Sequence, residues 1–377
     1  EAVVSRVVDD VVAVLDIAKC MNDAISKIEK LEAMGKSVGA SDNTAEVLKK
    51  ATAGLKPGNG AQAAAMQALL ASMASMFGGS SSNLEAILAK RDFKDIVGPE
   101  MTVREAAKYM AKIRKGVAVA DGATGELVGI FTLKDMNNRV VAKELSPDAT
   151  LVRDVMTPNP ESVAPEMSLL ESLHLMHDQK YQHLPVVAAE SGVAVGLVDV
   201  MDLMGATMGD GGSSDGWRSF WEQTMDVDDN ASESGSLRSV GMGSVAASAA
   251  ASRKRSVRGK SPPRSKPKGG NGTVAKLRPS KPVVMGASDS IQAVSKAMAD
   301  ARTDSALLTG ADGSLAGIVT STDITRKVVA LSKLPADAVS GVMTPNPKCV
   351  SMDDDATEAL VMMMDNHFRH LPVLDSE

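Results

Sequence analysis

The sequence predicts a mixed α/β (α+β) chain built from repeated units, each running helix, strand, hairpin, strand, helix. Three observations predict it. Val155-Met156-Thr157-Pro158-Asn159-Pro160 returns as Val342-Met343-Thr344-Pro345-Asn346-Pro347. A His-Leu-Pro-Val segment, His183 to Val186 and His370 to Val373, begins 27 residues after each Met. Upstream, Gly129 to Asp135 (GIFTLKD) is answered 188 residues later by Gly317 to Asp323 (GIVTSTD). An internal repeat is one structural unit written more than once, so its punctuation residues belong first to the fold.

The elements follow from periodicity. Val103, Ala106, Ala107 and Met110 recur at helical spacing, and Val117 to Ala120 reads as a short buried strand. Gly122 to Gly125 turns the chain into a second strand, Leu127 to Phe131, and a helical pattern runs from Thr132 through Val141. The next unit repeats this. Leu169, Leu170, Leu173 and Met176 stripe a helix, Leu184 to Val187 and Val193 to Val198 form a hairpin, and a helix opens near Asp199. In the other copy Ile291, Val294 and Met298, then Ala356, Leu360 and Met363, occupy the corresponding helical stripes.

Composition fits a chain that buries ordinary cores, at 44% hydrophobic and 23% charged residues. Aromatics make up only 2%, so those cores must rest on aliphatic residues and on 23 Met. Two cysteines, Cys20 and Cys349, argue against a disulfide framework and fit a reducing compartment. No stretch approaches the roughly 20 apolar residues of a membrane span. The expected location is intracellular and cytoplasmic, with an organelle left open because the chain starts at Glu1 without an initiator Met. Eleven Lys or Arg and no acid lie between Arg253 and Lys281, which leaves −17 on the rest of a chain whose net charge is −6. The Ser/Pro-rich stretch 253–268 reads as a disordered tether, or as a docking segment for acidic surfaces or nucleic acid switched at Ser256 or Ser261. It interleaves no aromatic for base stacking, which disfavours nucleic acid as a partner.

On the VMTPNP, HLPV and Gly-hydrophobic-hydrophobic-Thr-x-x-Asp segments, the chain resembles cystathionine-beta-synthase-type (CBS) domain proteins. These carry regulatory units of small β-sheet on two helices, paired into Bateman modules. It is similar to eukaryotic proteins with four CBS domains and a C-terminal Phox/Bem-type domain, which is not found here. Their Leu-Asp-Ile-x-Lys-Cys segment matches Leu15 to Cys20. The resemblance implies CBS units over 86–148 and 149–208, paired as one module, and over 273–335. It implies the closing half of a unit at 1–33 and the opening half of one at 336–377. Between them lie a helical or flexible linker (34–85), an acidic linker with a Trp helix (209–235) and a disordered basic linker (236–272). The order is that of a window cut from a longer array, or of a circular permutation in which the terminal halves meet. A strand and turn over Ser5 to Asp10 would favour the window.

The motif with chemistry in it is Thr-x-x-Asp, at Thr132/Asp135 and Thr320/Asp323. A strand ending this way resembles a capping box. The same geometry offers a phosphate a helix N-terminus and a hydroxyl, and offers a ribose a carboxylate. The resemblance implies that role: an adenosine nucleotide (AMP, ADP, ATP or S-adenosylmethionine, with or without Mg) as ligand, no tightly bound cofactor and no catalysis. Thr157, Thr344, His183 and His370 are further candidate ligand-binding residues. In the partner units Asp199/Asp202 and Asp16/Lys19 replace the motif, and Asp199, Asp202 and Asp16 join the candidate ligand-binding residues. An acid at the phosphate position repels an anion unless a cation intervenes, and an ammonium cannot accept from a ribose, so one competent site per module is expected. Glu171, His174 and His177 have the spacing of a helical metal motif, but the second copy puts Val361 and Met364 at the two His positions, so no metal site is expected.

Trp217, Phe220 and Trp221 stand at helical spacing and read either as a helix packed on its own domain or as a docking helix. Residues 62–77 favour helix and read as a brace between modules or a self-association surface. The leading functional class is a regulatory nucleotide sensor with an unknown regulated protein partner, prone to homo-oligomerise or self-associate through its modules. The alternative is a ligand-independent interaction scaffold using the Trp helix and Met-rich surfaces.

Overall fold

The computed structural model describes residues 11–35, 83–207, 215–235 and 272–375. The expected strand over 5–10, the helix-favouring stretch 62–77 and the basic stretch 253–268 lie outside them. Strand β1 (Val11–Asp16) leads into helix α1 (Ile17–Gly35). Helix α2 (Leu84–Ala89) precedes the first complete unit: β2 (Ile96–Val97), α3 (Val103–Ile113), β3 (Val117–Ala120) and β4 (Leu127–Phe131). That unit ends in one helical turn, α4 (Leu133–Asp135), which widens into a π-helix over Met136–Val141. The second unit holds α5 (Val152–Val155), β5 (Thr157–Pro158), α6 (Leu169–Gln179), β6 (His183–Val187), β7 (Ala194–Asp199) and α7 (Val200–Ala206), followed by α8 (Asp215–Gly235). The third holds β8 (Val284–Gly286), α9 (Ile291–Asp300), β9 (Ser305–Thr309), β10 (Leu315–Thr320), α10 (Ser321–Asp323) and a π-helix over Ile324–Val329. Then come β11 (Thr344–Pro345), β12 (Val350–Ser351), α11 (Ala356–Asp365) and β13 (His370–Leu374).

Local chemistry sets these boundaries. Thr102 and Glu105 close a capping box at the start of α3, and Ser168 and Glu171 do the same for α6. Ser290 and Asp355 cap α9 and α11. The stripes Val103/Ala106/Ala107/Met110 and Leu169/Leu173/Met176 are buried as their spacing requires.

The VMTPNP segment does more than open a new unit. Its β5 pairs with β4 of the preceding unit, Gly129 opposite Pro158, and β11 pairs with β10 in the same way, Gly317 opposite Pro345. Glycine permits this approach. A Cβ on Gly129 would stand 2.5 Å from Met156 Sδ, and one on Gly317 would stand 2.6 Å from Met343 Sδ. Asn159 and Asn346 adopt left-handed backbone, with φ of 45° and 46°, a conformation that asparagine tolerates better than most residues.

The two distant halves share a sheet. Strand β1 pairs antiparallel with β13, Asp16 opposite His370 and Val14 opposite Pro372, and β12 adds in parallel, giving the order β1-β13-β12. A fourth unit is thus assembled from residues 11–35 and from the residues that follow the third unit. First and second units join edge to edge through their sheets, where Ala194 N donates to Gly125 O at 2.9 Å. Third and fourth units join through the exchanged Val14 and Ser280 amide and carbonyl groups, over Val14, Leu307 and Ile318. Helices build the two main cores. One core runs between the first and third units, from Val103 and Met110 to Ile291 and Met298. Another runs between the second and fourth, from Leu173 and Met176 to Ile17, Met21, Leu360 and Met363.

Helix α8 belongs to that second core, which corrects the docking-helix reading and with it the Trp-helix part of the scaffold alternative. Trp217, Phe220 and Trp221 are each 1% exposed and pack together at centroid separations of 5.0–5.8 Å, Phe220 meeting both indoles edge to face. Trp217 Nε1 donates to Thr207 Oγ1 at 2.8 Å, and Arg218 pairs with Glu358 at the start of α11. The aromatics weld the second unit to the fourth. Trp221→Ala is therefore expected to cost about 3–5 kcal/mol of stability by chemical denaturation; an unaltered midpoint would return the helix to a docking role.

Candidate functional site

The first and third units end their last strand with the same device. Thr132 leaves β4 in extended backbone and caps α4: Asp135 N donates to Thr132 Oγ1 at 3.2 Å, while Asp135 Oδ2 accepts from Thr132 N at 3.0 Å and from its hydroxyl at 2.7 Å. Thr320 and Asp323 repeat this, with Oδ2 accepting at 3.0 and 2.8 Å. The second carboxylate oxygen is left for another partner. Asp135 Oδ1 meets Arg139 Nε at 3.3 Å and Asp323 Oδ1 meets Lys327 Nζ at 2.7 Å, both from cations one turn on that are 42% and 34% exposed. Each site is therefore a strand end, a helix N-terminus and a carboxylate whose second oxygen is held only by a partly exposed cation. Thr157 lies beside Ile130 and Thr344 beside Ile318, on the strands that flank these corners.

The second unit uses its acids differently. Asp199 caps α7 through Asp202 N at 2.9 Å, and Asp202 Oδ2 accepts from Asp199 N at 2.9 Å. Arg91 NH2 then reaches Asp202 Oδ2 at 2.8 Å, and Lys115 pairs with Asp202 Oδ1 and stands 3.8 Å from Asp199 Oδ2. Arg91 also holds Asp95, which accepts from Leu197 N at 3.1 Å. Arg91 and Asp202 are only 9% and 10% exposed at their side chains. Burial pushes the Asp95 carboxyl above its ordinary range in spite of Arg91. Burial likewise draws the Lys115 ammonium below its own range, against the pull of Asp199. The cations that must offset an acid at the phosphate position are supplied by the chain itself, and they engage both oxygens of Asp202.

In the fourth unit Lys19 turns away from any ligand role, donating to Arg278 O at 2.8 Å and Ser280 Oγ at 3.1 Å. Asp16 accepts from Ala18 N at 2.9 Å and from Arg369 Nε at 3.2 Å. Burial alone would raise the Asp16 carboxyl, but Arg369 and His370 outweigh it and hold it below the usual carboxylate range. His370 Nε2 lies 3.8 Å from Asp16 Oδ2, and His183 stands opposite Asp199 in the β6/β7 ladder. Asp304 of the third unit lies 3.9 Å from Arg369 NH2 and 3.8 Å from Lys134 Nζ of the first. Burial lowers the affinity of both imidazoles for a proton, opposed at His183 chiefly by Asp199 and at His370 chiefly by Asp16. The field at His183 also includes Arg369, Asp135 and Asp304, so charges from all four units act on one place.

The structure thus brings Asp16 together with His370 and Asp199 with His183. The expected residues omitted Arg91, Asp95, Lys115, Asp304 and Arg369. One signal was available for Arg369: it precedes His370 where Gln182 precedes His183 in the other copy. Glu171, which has the spacing of a metal motif, spends its carboxylate on Ser168, and His177 Nε2 bonds Ser26 Oγ at 2.7 Å. Among the described residues no group of three or more His, Cys, Asp or Glu has an arrangement that would hold a metal ion. Among them, too, no helix is long and apolar enough to cross a membrane.

Comparison with known proteins agrees with this architecture. The family model for the CBS domain matches residues 89–142, 152–209, 274–330 and 339–377. CBS domain-containing protein CBSCBSPB3 of Arabidopsis thaliana is 34% identical over 301 residues, 78% of this chain and 50% of its own length. CBSCBSPB1 of the same plant is 34% identical over 232 residues, 59% of this chain and 40% of its own. The chain therefore spans half or less of the length of these relatives. The crystal structure of protein MJ1225 from Methanocaldococcus jannaschii shares the fold, with a TM-score of 0.50 at 14% identity over 77% of this chain and 92% of that one. Matched in four segments that together exceed half its length, with units that pair through their sheets, the chain belongs to the CBS domain family.

Proposed function

We propose that this chain is a non-catalytic regulatory protein that binds adenosine nucleotides at Thr132/Asp135 and at Thr320/Asp323, and signals by shifting the relative orientation of its paired units. The observation that carries the reading is the contrast between carboxylates. Asp135 and Asp323 each present one oxygen to a partly exposed cation that can swing away, whereas both oxygens of Asp202 are tied to Arg91 and Lys115 in a nearly buried network. A ribose diol needs a carboxylate free to accept two hydrogen bonds. The hydroxyls of Thr132 and Thr320 and the helix N-termini behind them favour the phosphates. His183, His370 and Arg369 then lie where charge from the four units converges, so an anion placed there acts on all four. Thr157 and Thr344 line the flanks, while Asp16, Asp199 and Asp202 complete the charge balance rather than hold the ribose. A ligand that binds one orientation of the units better than another shifts the population toward it, and a partner reading that orientation is thereby regulated.

Calorimetric titration with AMP, ADP, ATP and S-adenosylmethionine, with and without Mg²⁺, tests the reading. About two saturable sites per chain are expected for at least one of them, one per module. Asp135→Ala and Asp323→Ala should each abolish one site or weaken it by about tenfold or more, with thermal unfolding confirming that both variants stay folded. Asp202→Ala should leave the stoichiometry unchanged. Absence of binding with every nucleotide, or two intact sites in the Asp135/Asp323 double variant, would overturn it.

Stability should report on the same cluster. Because burial lowers the imidazole pKa of His183 and His370 in the folded state, the unfolded chain takes up these protons first. Their contribution is complete above the unfolded value of about 6.5 and is lost as pH falls below it. The thermal midpoint is expected to drop between about pH 7 and 5, and the His183→Gln/His370→Gln double variant to flatten that slope. Parallel profiles for the two proteins would contradict the assignment.

A further inference from the structure

The two helical interfaces of the molecule are closed differently. Between the second and fourth units, α8 lies across the end of α7 and the first turn of α11, where Trp217 Nε1 donates to Met204 O at 3.2 Å and Arg218 pairs with Glu358. The corresponding place between the first and third units is a cavity of about 530 Å³. The two places lie at the same end of the same element. Met204 and Thr207, which Trp217 touches, close the helix that follows the last strand of the second unit, and Val141 and Val329, which line the cavity, close the π-helices that follow the last strands of the first and third. Arg104 and Gln292, also on its wall, occupy the first turns of α3 and α9, as Glu358 occupies that of α11.

Leu145 and Leu334 line this cavity among charged and polar neighbours, and Leu331 lies in the chain between its lining residues Val329 and Ser332. Leu331 and Leu334 are the most exposed large hydrophobic residues among those described, at 66% and 65%, and Leu145 is 42% exposed. A single exposed leucine is ordinary, but exposed apolar residues grouped at one place are a mark of interaction sites. Its charges are unequally spent. Arg104 holds Asp148 through a two-pronged pair and Glu144 accepts from Gln292 Nε2 at 3.2 Å. Lys333 Nζ reaches a backbone carbonyl, Gly341 O, at 3.4 Å.

We propose that this cavity docks an amphipathic helix from a partner protein, one that carries aromatic or Met anchors at positions i, i+3, i+4 and i+8 and a carboxylate facing Lys333. Helix α8 is the internal precedent: its Trp217, Phe220, Trp221 and Met225 have that spacing, all are buried, and they fill the equivalent interface. Docking of an apolar helix face into a groove requires anchors at this period. The inference stands apart from nucleotide binding, since none of the cavity residues belongs to the Thr-x-x-Asp corners.

A fluorescein-labelled peptide of residues 215–229, titrated against the full chain by fluorescence anisotropy, tests it with the anchors in hand. Saturable binding is expected, weakened by about tenfold or more in Leu145→Asp/Leu334→Asp, whose side chains are exposed enough to leave the thermal midpoint in place. A peptide carrying Trp217→Ala and Trp221→Ala should not bind. No saturable binding, or binding indifferent to the two leucine substitutions, would overturn the proposal. So would a doubled mass of the chain in solution that Leu334→Asp returns to a monomer, since the face would then belong to a second copy.

Discussion

Everything in this molecule turns on how a strand is made to end. At Thr132, Asp199 and Thr320 an extended residue caps the next helix while the acid three places on reaches back to the strand's last amide. Reciprocal capping satisfies donors that a helix start leaves free, and it fixes the angle at which helix leaves sheet. The fourth corner cannot be built that way. Lys19 stands where the acid should be, so Asp16 turns its carboxylate to Ala18 N and to Arg369, borrowed from a segment 353 residues distant. The half units therefore meet through a charge as well as through the β1/β13 ladder.

The same capping acid is asked to do two things, and the units divide the work. A carboxylate buried in an ion-pair network is costly to desolvate and costlier still to strip of a partner. Asp202, with Arg91 and Lys115 on its two oxygens, has little to offer a ligand, and its network with Asp95 instead locks the first unit's β2 and α2 region onto β7 of the second. Asp135 and Asp323 are themselves little more exposed than Asp202, but each pairs with a cation one turn along its own helix that is 42% or 34% exposed, so the partner rather than the carboxylate stands in water. In the first pair of units the acid tied into the inter-unit network and the acid paired only within its own helix thus belong to opposite members.

Much of this was legible in the chain. Repeats with period-two strands and 3.6-residue stripes locate the helices, the hairpins and the Thr-x-x-Asp corners, because those depend on residues a few places apart. Gly129 and Gly317 show the limit of that locality. Each reads as a turn or strand residue, yet its role is to admit Met156 or Met343 and the β5 or β11 backbone from the next unit. Helix α8 is similar: an aromatic face says that something will be buried, but its partner α11 begins more than a hundred residues later, across the linker. Arg91, Lys115 and Asp304 carry no local pattern at all, since charge pairs between units depend on how the sheets abut.

The helices that follow the corners separate the two interfaces further. After Asp199 the chain continues as ordinary α-helix, and that interface is sealed by tryptophans. After Asp135 and Asp323 it widens at once into π-helices, Met136–Val141 and Ile324–Val329, each packed on the first long helix of the facing unit and on each other. A π-turn holds one residue more than an α-turn, so its conversion to α shifts every later side chain by a fraction of a turn, and such bulges cluster at functional sites. Asn137 lies within the first of them, wholly buried, with Nδ2 bonded to Ser295 O at 3.2 Å across the interface. Among the described residues, only the first and third units have this element directly behind the corner. Between the Asp135 or Asp323 corner and the opposite module there is therefore one packed layer, formed by these π-helices and the long helices they face.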